Sequence, residues 1–115
     1  MTEIPHPTRD EIELSAVLHA LSDPVRLTMV RYLAVAPEER SCRSFDVPVT
    51  KSTCTHHFKV LREAGVIRQR HEGTARLNTL REDDLDARFP GLLATILDAA
   101  GPERMVDNGV HASSR

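Results

Sequence analysis

The run KSTCTHHFKVLREAGVIRQRHEGTARLNTL, residues 51–80, leaves this chain few architectures to choose from. Its first half reads as a helix that begins at Lys51 or Ser52, with Thr50 as a candidate cap, and ends near Glu63-Ala64 with Gly65 just past the end. VIRQRH and ARLNTL follow as two six-residue strand-like runs around EGT, where Gly73 supplies the dihedral that a hairpin turn needs. Two strands alone are marginally stable, so the hairpin must lie on helices. The expected class is therefore mainly α with one β-hairpin.

The helices are legible upstream and downstream. Thr8 with Glu11 fits a capping box, and Leu14, Val17, Leu18 and Leu21 repeat at helical spacing, which predicts a first helix over about 9–21. Ser22-Asp23-Pro24 is a restart signal, because Ser22 or Asp23 can accept from the orphan N–H groups and Pro24 suits the first helical position. That second helix carries Leu27, Val30 and Leu33 on one stripe and stops in APEER. A third, of two turns or less, is expected near 41–46, closed by Pro48. REDDLDARF reads as a short helical turn, and Pro90 opens a last helix with Leu92, Leu93, Ile96 and Leu97 on its stripe. The expected organisation is a flexible start over 1–7, one domain over 8–100 and a disordered tail over 101–115.

Charge is unevenly placed. The 115 residues sum to −2, yet the segment from Lys51 to Arg81 holds seven basic residues against Glu63 and Glu72, or +5, leaving −7 for the remainder. Such local asymmetry is the form a nucleic-acid footprint takes in a small protein. No stretch approaches the roughly 20 apolar residues of a membrane helix, and the start is polar and acidic, so a cytoplasmic location without membrane contact is expected. Two cysteines, Cys42 and Cys54, make no disulfide framework, and a reducing compartment would keep them as thiols.

Two helices joined by a tight turn, followed by a basic hairpin and flanked by further helices, is a winged helix-turn-helix arrangement, in which one helix meets the DNA major groove and the hairpin lies beside it. The segments LSDPVRLTMVRYLA, KSTCTHHFKVLREAGVI and RHEGTARLNTL also resemble the second helix, recognition helix and wing of the bacterial ArsR/SmtB repressors, over about residues 12–100. The resemblance implies a homodimer that binds double-stranded operator DNA and responds to an effector. It places the dimer interface on the first and last helices, at Leu14, Val17, Leu18, Leu92, Leu93, Ile96 and Leu97.

At ~100° per residue, Cys54, Phe58, Leu61 and Gly65 fall on one side of the expected reading helix with His57 and Ala64 at its edge, and Ser52, Thr55, His56, Lys59 and Arg62 on the other. Hydroxyls and imidazole can read base edges, while Lys59 and Arg62 can meet phosphates. The family's contacts at the start of this helix carry over to Lys51, Ser52, Thr53, Thr55 and His56. In the wing, Arg70, His71 and Arg76 flank the turn and are candidates for phosphate or minor groove, whereas strand alternation can point Arg68 elsewhere. Cys54 is expected as a small buried hydrophobe and His57 as a boundary histidine with one hydrogen bond.

The family's metal sites find no match here. Counting back from His57 puts its Cys-x-Cys pair at Glu39 and Ser41, with Cys42 one position off. Residues 82–100 offer Asp83, Asp84, Asp86 and Asp98 but no histidine, the nitrogen ligand that zinc or nickel prefers. His6, His19, His71 and His111 follow no ligand spacing. No cofactor is expected; a divalent transition metal and a Cys42–Cys54 redox switch stay open as effectors. Two other classes compete, a winged-helix module that binds protein instead of DNA and a thiol enzyme built on Cys54 and His57. The basic segment argues against the first, and the lack of a Gly-rich oxyanion loop against the second, so no enzyme is expected.

Overall fold

The computed structural model describes residues 4–35, 40–41 and 51–101. After a 3-10 turn at Arg9–Glu11 come α1 (Leu14–Leu21), α2 (Pro24–Val35), β1 (Arg40–Ser41), α3 (Lys51–Ala64), β2 (Ile67–Glu72), β3 (Ala75–Leu80), α4 (Glu82–Arg88) and α5 (Leu92–Ala100). The sheet has the order β1-β3-β2 and is antiparallel throughout. The expected winged helix-turn-helix fold is present, with α3 leading into the β2–β3 hairpin; the tight turn expected before α3 falls within residues 42–50, outside the described residues. The short helix expected from Ser41 meets strand there instead, since Arg40 and Ser41 pair with Asn78 and Leu77; residues 42–46 lie outside the described residues, as does the tail beyond Gly101.

The first helix is shorter than its periodicity suggests. The Thr8–Glu11 box forms, with Thr8 N–H on Glu11 Oε1 at 2.9 Å, but it opens only the 3-10 turn. Ile12 is then extended at φ −74°, ψ 124° and is 1 % exposed. It is turned into the core at the end of α3, where a Cβ on Gly65 would lie 2.5 Å from Ile12 Cγ1. Burial of a large β-branched side chain outweighs the continuation of one helix. Asp23 caps α2 as expected, its Oδ1 accepting from Val25 N at 2.8 Å and Arg26 N at 3.2 Å.

Helix α3 ends in a Schellman motif. Gly65 N–H bonds to Arg62 O at 3.0 Å, Val66 N–H to Leu61 O at 2.9 Å, and Gly65 has φ +88°. The chain therefore enters β2 directly from the helix. The hairpin turn is tighter than EGT implies, because Glu72 pairs with Ala75 and leaves Gly73 (φ +61°) and Thr74 as the loop. The core runs through Ile12, Val17, Ala20, Met29, Val30, Leu33, Cys54, Phe58, Leu61, Val66, Ile67 and Leu85. It joins α1, α2 and α3 to the base of the wing, and so fixes the angle between α3 and the hairpin.

Candidate nucleic-acid interface

Helix α3 presents Ser52, Thr53, Thr55, His56, Lys59 and Glu63 to solvent and buries Cys54, His57, Phe58, Leu61, Arg62 and Ala64. The side chain of Lys51 lies outside the described residues. The exposed set is the polar face expected from the helical projection, with one exception. Arg62 is 8 % exposed and runs beneath the surface, where Nη1 donates to Gln69 Oε1 at 2.9 Å; Gln69 Nε2 in turn donates to Asn78 Oδ1 at 2.7 Å. Arg62 therefore ties α3 to both strands of the wing instead of standing beside Lys59. A single-helix projection cannot see that the hairpin packs over this edge of the helix.

Strand alternation divides the wing. Ile67, Gln69 and His71 share the side of β2 that faces α3, and Arg68, Arg70 and Glu72 share the other. Near the base, Ile67 and Gln69 are buried. Beyond the end of the contact, His71 and its register partner Arg76 are exposed and overhang the helix. They line a cleft of about 320 Å³ together with Ile4, Pro5, Thr55, Lys59 and Arg62. Arg70 is on the outer side with Nη1 on Glu72 Oε1 at 2.6 Å, and Arg68 Nη2 lies 3.4 Å from Asp84 Oδ2. So the structure brings Thr55, Lys59, His71 and Arg76 together and places Arg70 apart from them.

The histidine pair divides as well. His57 is 8 % exposed, and its Nδ1 accepts from Arg26 Nη1 at 3.1 Å, which sets the ring's proton on Nε2. Arg26, itself buried, also donates from Nε to Ala20 O at 2.7 Å, so one guanidinium joins α1, α2 and α3. Burial holds the His57 pKa below its ordinary value; Asp23 opposes this, while Arg26 and His56 reinforce it. Cys54 is buried as expected but is disulfide-bonded, not a free thiol. Cys42 lies outside the described residues.

Of the residues assigned to a dimer interface, Leu14 and Leu18 are each 45 % exposed, and Leu92, Leu93, Ile96 and Leu97 are half-buried against the core. Val17 is the correction: at 1 % exposure it belongs to the protomer's own core, because α1 lies flat on α3 and turns that position inward. Among the described residues no group of three or more His, Cys, Asp or Glu side chains could hold a metal ion. No helix among them is long and apolar enough to cross a membrane.

The N-terminal segment is part of the site and was not foreseen there. Ile4 and Pro5 line the cleft, and His6 and Pro7 are bonded to the wing and its end. The available signal was the Pro-His-Pro triplet, since each proline favours extended backbone at and before itself, as strand-edge docking requires.

A family model described as a helix-turn-helix domain matches residues 21–70. The chain is 38 % identical over 82 residues to the uncharacterized HTH-type transcriptional regulator YceK of Bacillus subtilis strain 168, covering 70 % of this chain and 82 % of that one. Its fold matches the transcriptional repressor BigR from Xylella fastidiosa with a TM-score of 0.53 and 26 % identity, over 71 % of this chain and 96 % of that chain. It also matches the homodimeric winged helix-turn-helix DNA-binding domain of a possible ArsR-family transcriptional regulator from Mycobacterium bovis, with a TM-score of 0.59 and 23 % identity, over 86 % and 87 % of the two chains. With α2, α3 and the first strand of the wing inside the matched residues 21–70, the chain belongs to the helix-turn-helix transcriptional regulators, and its fold is the winged helix-turn-helix.

Proposed function

We propose that the protein is a homodimeric regulator that reads double-stranded operator DNA with Ser52, Thr53, Thr55 and His56, assisted by Lys51, and grips the backbone with Lys59, His71 and Arg76. The observation that carries this is the cleft in which Thr55 and Lys59 of α3 face His71 and Arg76 of the wing. A duplex whose major groove receives α3 runs one backbone between helix and wing, where Lys59 and Arg76 meet phosphate and His71 is within reach of it. Arg70, on the outer side of the hairpin, is left a peripheral role. Dimerisation is supported by the exposure of Leu14 and Leu18 on α1 and by the half-buried apolar stripe of α5.

Lys59→Ala and Arg76→Ala each remove one phosphate contact. Each should weaken binding on all sequences and lower the slope of log affinity against log salt by about two for the dimer, one per protomer. His56→Ala should instead change the preferred sequence in a selection from a duplex library. If both charge variants bind as the parent does across a salt series, the surface is wrong.

One observation favours a thiol-responsive regulator as a second reading, namely that Cys54 sits in the reading helix in a disulfide. Two-electron reduction by an excess of dithiol should then change operator affinity in the parent and leave Cys54→Val unchanged. Equal shifts in both proteins would remove this reading.

A further inference from the structure

The N-terminal arm ends on the surface just described, and its attachments suggest what it does there. His6 Nε2 accepts a hydrogen bond from the backbone N–H of Gln69 at 2.9 Å, and Pro7 O accepts from Arg81 Nη1 at 2.8 Å. Because β2 is the outer strand of the β1-β3-β2 sheet, the His6 ring occupies one of the groups that an edge strand leaves over. Upstream of this anchor, Ile4 and Pro5 line the cleft together with Thr55, Lys59, His71 and Arg76. A minor-groove arm brings cations to DNA. The first seven residues, MTEIPHP, contain no Lys or Arg and one Glu. Apolar side chains on the wall of a cleft beside exposed cations narrow the place a phosphate would take.

We propose that the Ile4–His6 arm is a cover over the DNA-facing cleft, held shut by the neutral His6 imidazole and released when that ring takes up a proton. This rests on the operator-binding reading above. The bond to Gln69 uses the lone pair on Nε2, so a protonated ring sets two N–H groups against each other. The charged groups facing His6 disfavour the imidazolium: Arg68 on β2, Arg81 at the end of β3 and Arg62 on α3, with Asp84 of α4 already engaged by Arg68 and Arg81. Burial is the largest influence and lowers the His6 pKa; the Ile4 backbone opposes it, and the three arginines add to it. A docked state that prefers the neutral ring is fully favoured above the free imidazole's pKa and is lost as pH falls through the lower docked value.

The test uses the full chain, His6→Ala, and a variant lacking residues 1–5, all of which keep Pro7 and the Thr8 cap. Each is titrated with a labelled duplex from the DNA upstream of its own coding sequence. At about pH 8 His6→Ala should bind roughly three- to tenfold tighter than the parent, the worth of one net hydrogen bond, and the variant lacking residues 1–5 at least as tightly, with the differences shrinking as the pH is lowered toward about 5. Comparing variants at fixed pH cancels whatever pH does to the rest of the DNA-facing surface. Equal affinities at both pH values would overturn the proposal, and weaker binding by the variants would make the arm a DNA contact instead. A second readout needs no DNA: proton–proton NOEs from Ile4 to Thr55 and Lys59 should vanish as the Gln69 amide titrates with His6. If those NOEs behave so and no duplex binds any form, the operator reading fails and the cover stands. If duplexes bind and the NOEs are missing, the cover fails and the reading stands.

Discussion

Arg62→Ala separates the two roles an arginine at that position can have. The side chain is 10 % exposed, with Nη1 on Gln69 Oε1 at 2.9 Å and the Gln69 amide passing on to Asn78 at 2.7 Å. Removing the guanidinium leaves a buried carbonyl oxygen without its donor, at about 1–3 kcal/mol. It also strips the aliphatic stem from the seam between α3 and β2, at about 0.8 kcal/mol per fully buried methylene. Against this, Arg62 Nε has no hydrogen-bond partner among the described residues, so its desolvation cost disappears with the side chain. The expected net loss is about 2–3 kcal/mol, or a melting temperature lower by about 10–20 °C for a domain of this size. Arg62→Met, which keeps the stem, should recover about half. Urea unfolding followed by circular dichroism gives the stability, and DNA titration across a salt series gives the number of phosphate contacts. The salt slope should not change. An unaltered unfolding midpoint together with a slope smaller by about two, one per protomer, would show that Arg62 meets phosphate, and would refute the reasoning from burial.

Three further outcomes follow from the same coordinates. Gly65→Ala forces a Cβ into a residue at φ +88° and to 2.5 Å from Ile12 Cγ1; left-handed strain of about 1–2 kcal/mol and overpacking of about 1–3 kcal/mol predict a loss of about 2–5 kcal/mol in urea unfolding. Leu18→Glu charges an exposed leucine of the proposed dimer face, so light scattering should give the protomer mass with the helical spectrum retained, and operator affinity should fall roughly a hundredfold as two half-sites uncouple. An unchanged mass would move the interface elsewhere. Asp84 binds Arg9 Nε and Arg81 Nε, both at 2.8 Å, and the Arg9 bond first, then that of Arg81, hold its pKa below the ordinary 3.8 in spite of burial. A depressed carboxylate contributes stability above its unfolded pKa that is lost as pH falls through the folded value. Asp84→Asn should therefore lower stability at neutral pH and flatten the acid limb of the stability curve, and a parallel acid limb in both proteins would contradict this.

What could be read from the letters alone was local. Asp23 and Pro24 declare the start of α2, Gly65 the end of α3, and the runs around Gly73 the hairpin, because each depends on a few neighbouring residues. Ile12 was misread as helical because the reason it is extended lies far along the chain, in the space left by the missing side chain of Gly65. Arg62 and Val17 fail for the same cause. A projection of one helix shows which side chains share a face and does not show how much of that face a neighbour covers. His6 carried no periodic signal at all; only the register of β2 gives its ring an N–H to accept from. The division of the reading helix was legible for the opposite reason, since 100° per residue is enough to part Cys54 and His57 from His56.

The two sides of the hairpin also bear on how a duplex first meets this protein. The outer arginines sit beside carboxylates, Arg70 with Glu72 and Arg68 with Asp84, while His71 and Arg76 hang over the helix. Among the described residues this gathers attraction for a polyanion at the aperture between helix and wing, on a chain of net charge −2. Encounters from most directions are then unproductive, and those near the aperture are turned into alignment before any base is touched. The salt concentration would set the speed of arrival as well as the strength of the final grip, and moving Glu72 to the inner side of the strand would slow the first without altering the bases read.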